Sequence, residues 1–262
     1  MDVTHDEIDP WNPEVYDRFR EERMEPLYDL LAMIRPQAEM NILDLGCGTG
    51  ELTLRMVNHF AHGRALGIDS SKTMLERAPA DPRLTFHCGR IEDFTSFDPF
   101  DLVFSNAALQ WVPDNAAVVA RIVEGMRDGA QIAVQVPRNE EHVSHRVATE
   151  IAQCAPFRSW LDGFVRRSHA LSAEAYASIL HAHGCTRPIV MERMYVHPMP
   201  HTADVVGWVQ GTLLTPYLSR LEPSQQQEFL EAYRARLLHA LGNESPYVYT
   251  FRRLLLWGRK RR

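Results

Sequence analysis

The stretch ILDLGCGTGELT, from Ile42 to Thr53, is the feature that most limits what this chain can fold into. An apolar run of strand length ends at Leu45, three glycines follow at alternate positions, and a helical pattern begins near Glu51. Glycine lets the backbone turn sharply and approach a ligand closely, while the free amide groups of a helix start attract polar or negative groups. The stretch therefore predicts a strand, a tight ligand-binding turn and a helix.

Short apolar runs and helical segments alternate over the first half of the chain, a pattern typical of a parallel sheet covered on both faces. The predicted strands lie near residues 41–45, 65–69, 84–87, 101–105 and 131–136, and the helices near 51–60, 71–78 and 116–126. Later helices are predicted near 143–155, 173–182, 202–211 and 224–241, with β-like runs at 189–197 and 247–257. These two runs could complete the sheet as an antiparallel edge. We therefore expect an α/β fold.

Composition narrows the class of protein further. With 262 residues and 45% hydrophobic content, the chain is long enough for one α/β domain with an elaborated cap. The net charge is −6 and only residues 259–262 are densely basic, so nucleic acid is not an expected partner. The acidic, polar start and the absence of a long apolar run predict no secretion signal or membrane span. Four scattered cysteines fit a reducing cytoplasm.

The glycine spacing separates two classes of cofactor. It reads G-x-G-x-G, whereas the dinucleotide fingerprint has two residues between its second and third glycines. Asp44 precedes the first glycine, where a carboxylate can meet an ammonium group. Asp69 ends the second predicted strand, where a carboxylate can accept hydrogen bonds from ribose hydroxyls. Two other readings stay open: a helix-capping role for Asp69, and a tight turn that binds no ligand.

The motifs LDLGCGTG, GIDSS, PFDLVFSNAALQWVPD and GAQIAVQVP occur in this order and resemble those of class I S-adenosylmethionine-dependent methyltransferases. The start DPWNPEVYDRF, NAALQWVPD and the stretch MPHTADVVGWVQGTLLTPYLSRLEPSQQQEFLEAYRARL are similar to trans-aconitate methyltransferases. The resemblance implies a Rossmann-like, seven-stranded, mostly parallel sheet with an antiparallel edge strand and a helical cap. We expect a single domain over residues 1–262. Its lid would lie at about 8–34, its core at about 35–200 and 243–262, and its cap at about 201–242.

The resemblance also implies which residues bind S-adenosylmethionine and its product S-adenosylhomocysteine. The implied cofactor-binding residues are Trp11, Tyr16, Asp44, Gly46, Gly48, Gly50, Asp69, Ser70, Met74, Arg90, Ile91, Asn106 and Leu109. The implied positioning residues between the sulfonium and the acceptor are Tyr16, Asn106, Gln110 and Trp111. Trp11 and Tyr16 would close over the cofactor, although both could instead pack an N-terminal helix on the core. A packing role is also open for Trp111.

Three positions depart from the family pattern. Arg90 stands where the family commonly places an acid that would bind the adenine amine, so Ile91, Glu92 or Asp93 would have to supply that contact. Arg138 replaces the aspartate of a P-D-N sequence, and Thr215 stands where relatives place an arginine. Losing one arginine and gaining another is compatible with a different carboxylic acid. Trans-aconitate is the leading acceptor, with O- or N-methylation of another small metabolite as the alternative.

A carboxylate acceptor needs no general base because it is ionised at neutral pH. It needs cationic or amide donors, and the candidates are Arg138, Asn139, Arg193 and Arg252, with Arg167 and Arg253 as further arginines. The resemblance implies that Gln110 and Trp111 also contact the acceptor. Each arginine could also be a solvated surface residue. His142 or Tyr195 would serve as a base for an amine or hydroxyl acceptor. The histidine pairs 142/145 and 181/183 lack the spacing of zinc hydrolases, so no metal is predicted.

Two functions from other classes remain open at this point. A nicotinamide-dependent oxidoreductase is disfavoured by the glycine spacing and by Asp44. A non-catalytic cofactor-binding protein is disfavoured by the intact glycine loop. Arg90, which departs from the family pattern, keeps this alternative open. We expect an enzyme that acts on a small molecule as a monomer or dimer.

Overall fold

The computed structural model describes residues 20–60 and 63–261, with side chains from residue 24 onward. Trp11, Tyr16 and most of the predicted lid lie outside the described residues. The chain divides into two compact units. The sheet unit contains Arg23–Arg138, Ser168–Tyr195 and the chain from Arg252, and the helical unit contains Asn139–Arg167 and Val196–Phe251. The predicted division into lid, core and cap stays a prediction.

A single seven-stranded sheet has the order β3-β2-β1-β4-β5-β7-β6. The strands are β1 Asn41–Leu45, β2 Arg64–Asp69, β3 Leu84–Cys88, β4 Leu102–Asn106, β5 Gln131–Pro137, β6 Cys185–Met199 and β7 Tyr247–Lys260. β1 to β5 pair in parallel, and β7 runs antiparallel to β5. The predicted mostly parallel sheet with an antiparallel strand near its edge is confirmed. β6 begins earlier than predicted, at Cys185.

Ten α-helices occur in the described part of the chain. They are α1 Arg20–Met33, α2 Glu51–His59, α3 Lys72–Leu75, α4 Asn115–Gly125, α5 Val143–Ala152, α6 Phe157–Trp160, α7 Ala173–Ala182, α8 Asp204–Gln210, α9 Thr215–Leu218 and α10 Pro223–Leu241. The helices predicted at 71–78 and 143–155 are shorter than expected. They end at Leu75 and Ala152, whereas the prolines at 79 and 156 disfavour helical backbone only in the residue before each of them. All the helices in this described part are too short or too polar to span a lipid bilayer.

The central strands β1, β4 and β5 are buried on both faces, whose side chains alternate along each strand. One face packs Leu43, Val103, Ile132 and Val134 together with α4. The opposite face packs Ile42, Phe104, Ala133 and Leu255 together with α1. The helical unit has an aromatic core of its own, with Trp208, Tyr217, Phe229, Tyr233 and Tyr249. Because β1, β2, β4 and β5 are parallel, their carboxyl ends meet at one edge of the sheet, the usual ligand-binding edge of such folds.

Candidate functional site

The glycine loop joins β1 to α2 with three residues in the left-handed region. The φ angles of Gly46, Gly48 and Gly50 are 79°, 56° and 71°. The backbone amides of Gly46 and Cys47 both donate to the Ile68 carbonyl, at 2.8 and 3.1 Å. This anchors the loop to β2. The predicted strand, tight turn and helix are therefore present in the predicted order.

The three glycines are required for different reasons. A Cβ atom added to Gly46 would lie 2.1 Å from the Ala108 Cβ, and one added to Gly50 would lie 2.5 Å from the Phe86 ring. Both glycines therefore allow close packing within the protein. A Cβ atom added to Gly48 would meet no atom within 4 Å. The middle glycine thus faces open space at the turn, where a ligand can approach the backbone.

The carboxylate of Asp69 connects the loop to the end of β2. One oxygen accepts from the Gly48 amide at 2.7 Å and the other from the Ser71 amide at 2.8 Å. The Ser71 hydroxyl in turn accepts from the Met74 amide, so Ser71 is the residue that caps α3.

Asp44, at the end of β1, is a buried acid beside the loop. Its carboxylate accepts from the Thr53 hydroxyl at 2.6 Å. Burial, opposed by this hydrogen bond and assisted by the charge of Asp69, raises the pKa of Asp44 to about 7. A buried carboxyl group of this kind stabilises a cation placed next to it, because the cation offsets the lost hydration. Burial also raises the pKa of the Cys47 thiol, so this buried side chain is a small neutral group behind the turn.

The segment after β4 forms the next part of this edge. Ala107 has a φ of 56°, which is uncommon for a residue with a Cβ atom. It leads into a 3₁₀ turn, Leu109–Trp111, in which Leu109 is fully buried. The buried Gln110 donates from Nε2 to the Ala107 carbonyl at 2.6 Å. Its Oε1 has no hydrogen-bond partner among the described residues.

Polar residues form a row on one face of the sheet at this edge. Asp44 is paired with Phe104, and Asn106, two residues further along β4, is paired with Gln135. Pro137, two residues after Gln135 on β5, is paired with Arg253 on β7. Because register partners share a face, Asp44, Asn106, Gln135 and Arg253 project from the same side. Gln135 was missed by the sequence analysis. Its signal was a glutamine inside the otherwise apolar run AVQVP.

Comparison with known proteins decides the family. A family model described as a methyltransferase domain matches residues 36–179, more than half of the chain. The trans-aconitate 2-methyltransferase of Deinococcus radiodurans is 39% identical, over 94% of this chain and 96% of that protein. That of Variovorax paradoxus is 33% identical, over 96% of this chain and 98% of its own length. The chain belongs to the S-adenosylmethionine-dependent methyltransferases, in the trans-aconitate 2-methyltransferase family. The resemblance inferred from the motifs is thereby confirmed.

A solved structure supports the fold of this methyltransferase. The YcgJ protein from Bacillus subtilis superposes with a TM-score of 0.59, covering 90% of this chain and 98% of the other. The two sequences are only 16% identical, so this likeness concerns the fold alone. It confirms the Rossmann-like architecture that the family resemblance implied.

The other implied cofactor residues of the methyltransferase follow β2 and β3. Met74 and Ile91 are buried, whereas Ser70 is exposed. The guanidinium of Arg90 forms an ion pair with Glu92 at 2.7 Å, and its side chain is 56% exposed. Trp111 is partly buried in the 3₁₀ turn after β4. Their contacts with the cofactor stay predictions.

The predicted acceptor residues of the methyltransferase lie in different places. Arg193 forms ion pairs with Asp29 at 2.6 Å and with Glu25 at 3.5 Å, and Arg252 lies 3.8 Å from Glu192. The Arg138 amide donates to the Arg252 carbonyl, which places Arg138 at the end of β5. Asn139 and Arg167 belong to the helical unit. There the side-chain Nδ2 of Asn139 donates to the Tyr249 hydroxyl at 3.4 Å, and Arg167 is exposed.

His142 and Tyr195, the two residues considered as a base, are both engaged in hydrogen bonds within the chain. Nδ1 of His142 accepts from the Ser144 amide at the start of α5, and burial followed by the charge of Arg146 lowers the pKa of His142. The Tyr195 hydroxyl donates to Asp29 at 2.6 Å, and burial raises the pKa of Tyr195. Within residues 20–60 and 63–261, no three His, Cys, Asp or Glu side chains are grouped so that they could hold a metal ion.

Proposed function

We propose that this methyltransferase transfers the methyl group of S-adenosylmethionine to a carboxylate of trans-aconitate, forming a methyl ester. The observation that carries the proposal is similarity along almost the whole chain to proteins named for this activity, at up to 39% identity. The cap stretch is included in that similarity.

The residues of the glycine-loop edge fit S-adenosylmethionine. When bound, this cofactor supplies a methyl group made electrophilic by a sulfonium. The buried Asp44 suits the cofactor's ammonium, and the open space at Gly48 admits a ligand close to the backbone. Asp69 would accept from the ribose hydroxyls, with Met74 and Ile91 as apolar neighbours of the adenine. Arg90 pairs with Glu92, so we assign the adenine contact to the backbone of Ile91 and to Asp93.

The chain's part in the chemistry is then to hold and orient the acceptor. A carboxylate with a pKa near ~4 is a ready nucleophile at neutral pH and requires no proton transfer. Catalysis would consist of placing its oxygen in line with the methyl group, in a site from which water is excluded. Asn106, Gln110 and Trp111, which lie at the end of β4 and in the turn after it, are the proposed positioning residues.

Mass spectrometry on a panel of acceptors tests the proposal. The purified protein is incubated with S-adenosylmethionine and with trans-aconitate, other di- and tricarboxylic acids, amines or phenols. We expect trans-aconitate to gain one methyl group and to lose it on mild alkaline hydrolysis, because methyl esters are cleaved by base. Methylation of an amine or a phenol alone would overturn the carboxylate assignment.

A further inference from the structure

Gln135 on β5 is a fully buried glutamine whose amide orientation is fixed by its neighbour. Its Oε1 accepts from Nη1 of Arg253 at 3.1 Å. A guanidinium only donates hydrogen bonds, so the oxygen of the amide must be the atom that faces it. The nitrogen therefore points elsewhere. Nε2 of Gln135 has no hydrogen-bond partner among the described residues.

A second unpartnered amide atom lies on the adjacent strand. Asn106 is the register partner of Gln135, and its Oδ1 also has no partner within the described residues. Neighbouring strands are about 4.8 Å apart, and register partners share a face. A donor and an acceptor thus lie side by side at the ligand-binding edge, and both are buried away from water. Leaving such groups unsatisfied is costly, which indicates that a bound molecule completes them.

Gln131 provides an internal comparison for Gln135. It lies on the same strand and the same face, four residues earlier, and is equally buried. Its Oε1 accepts from the Arg35 amide and from Nε1 of Trp257, and its Nε2 donates to the Arg35 carbonyl. Both polar side-chain atoms of Gln131, at the end of β5 where no ligand is expected, therefore have hydrogen-bond partners within the protein. Of these two glutamines, Gln135 at the carboxyl end of β5 is the one that keeps an unused donor.

The charges along the polar row indicate the kind of group that Gln135 binds. The row begins at the acid Asp44 on β1 and ends at the guanidinium of Arg253 on β7. A cation is favoured at the β1 end and an anion at the β7 end. The oxygen of Asn106 repels an anion on the β4 side of Gln135, whereas Arg253 attracts one on the β7 side. A carboxylate oxygen satisfies both the charge and the unused donor.

We propose that Nε2 of Gln135, with Arg253 beside it, binds a carboxylate of the acceptor and thereby selects carboxylic acids as substrates. This inference rests on the proposed function. The α-carboxylate of the cofactor has the same chemistry and is the competing source of the anion. The experiment therefore measures cofactor binding and acceptor use separately.

The test compares Gln135→Met with its matched control Gln131→Met, using the full chain. Methionine preserves length and volume while it removes the amide. For Gln135→Met we expect KM for trans-aconitate to rise about tenfold and the Kd for S-adenosylhomocysteine to stay within about twofold. This change removes an unsatisfied donor together with the hydrogen bond from Arg253, so the Tm of the ligand-free protein should fall less than in the control. For Gln131→Met we expect Tm to fall by several degrees and KM to be unchanged.

Each other outcome counts against a defined part of the proposal. If the wild-type protein methylates trans-aconitate and Gln135→Met leaves KM unchanged, the role of Gln135 is refuted and the proposed function stands. If the variant weakens S-adenosylhomocysteine binding as much as it raises KM, the anion is the cofactor's own carboxylate. If the wild-type protein methylates only acceptors that lack a carboxylate, the proposed function and the role of Gln135 both fail. Gln135→Leu repeats the comparison if the methionine variant does not fold.

Discussion

The two ends of the polar row differ in how completely the protein satisfies its own polar groups. At the glycine loop, the amides of Gly46, Cys47 and Gly48 and the carboxylates of Asp44 and Asp69 all have hydrogen-bond partners within the chain. At the β4 and β5 end, amide atoms of Asn106, Gln110 and Gln135 have none among the described residues. The first end is built before any ligand arrives. We propose that the bound acceptor supplies the missing hydrogen-bond partners at the second end.

The same difference decides what the sequence could predict. The glycine loop, Asp44 and Asp69 belong to one strand–turn–helix–strand segment, so local spacing was sufficient to find them. The opposite end combines residues 106, 135 and 253, which only the sheet order brings together. Gln135 lies in an apolar run, where a sequence pattern predicts core packing. Hydrophobic periodicity also did not predict the early ends of α3 and α5 or the early start of β6.

The largest expected effect separates two glycines of the same loop. Gly46→Ala forces a Cβ atom to 2.1 Å from that of Ala108, at a φ of 79°. We expect this to lower the free energy of unfolding by about 3 kcal/mol or more. Gly48→Ala has open space around it and should lose only ~1–2 kcal/mol from backbone strain. Urea denaturation of both ligand-free variants measures the difference. Equal losses would contradict the packing role assigned to Gly46.

Removing the carboxylate of Asp69 should affect the cofactor next most strongly. We expect Asp69→Ala to weaken S-adenosylhomocysteine binding by ~1–3 kcal/mol, because charge-assisted hydrogen bonds to the ribose and to the Gly48 amide are lost. Asp114→Ala is the control, since Asp114 only caps α4 through the Ala117 amide. It should cost ~1 kcal/mol of stability and leave cofactor binding unchanged. Titration calorimetry on both variants provides the measurement, and unchanged binding in Asp69→Ala would refute the ribose contact.

The pKa of Asp44 makes the loop end sensitive to pH. The folded pKa of about 7 lies above the ordinary aspartate value of 3.8, so between these two pH values the native state holds a proton that the unfolded state has lost. The ligand-free protein should therefore lose stability as pH rises from 4 to 7 and change little above 7.

Cofactor binding should show the corresponding proton exchange. The ammonium of the cofactor favours ionised Asp44, so S-adenosylhomocysteine should release a proton below pH 7 and bind about tenfold more weakly at pH 6 than at pH 8. Calorimetry in buffers of different ionisation enthalpy measures the proton. In Asp44→Asn, proton release should disappear. Persistent release in that variant would assign the proton to another group.

The smallest expected effect concerns Arg193, which already pairs with Asp29 and Glu25 at a partly exposed position. An ion pair of this kind contributes at most ~1 kcal/mol to stability. We expect Arg193→Gln to lower the free energy of unfolding by no more than that, as measured by urea denaturation. Its effect on KM for trans-aconitate should be smaller than that of Gln135→Met. A larger effect on KM would place the acceptor carboxylate at Arg193 and away from Gln135.

The most direct test of the two-ended site is a cross-comparison of binding in two variants. Titration calorimetry gives the affinity of S-adenosylhomocysteine, and then of trans-aconitate on protein saturated with S-adenosylhomocysteine, for Asp69→Ala and Gln135→Met. We expect Asp69→Ala to weaken only S-adenosylhomocysteine and Gln135→Met to weaken only trans-aconitate, each by about tenfold. If either variant weakened the binding of both ligands equally, Asp69 at the glycine loop and Gln135 on β5 would not have separate roles.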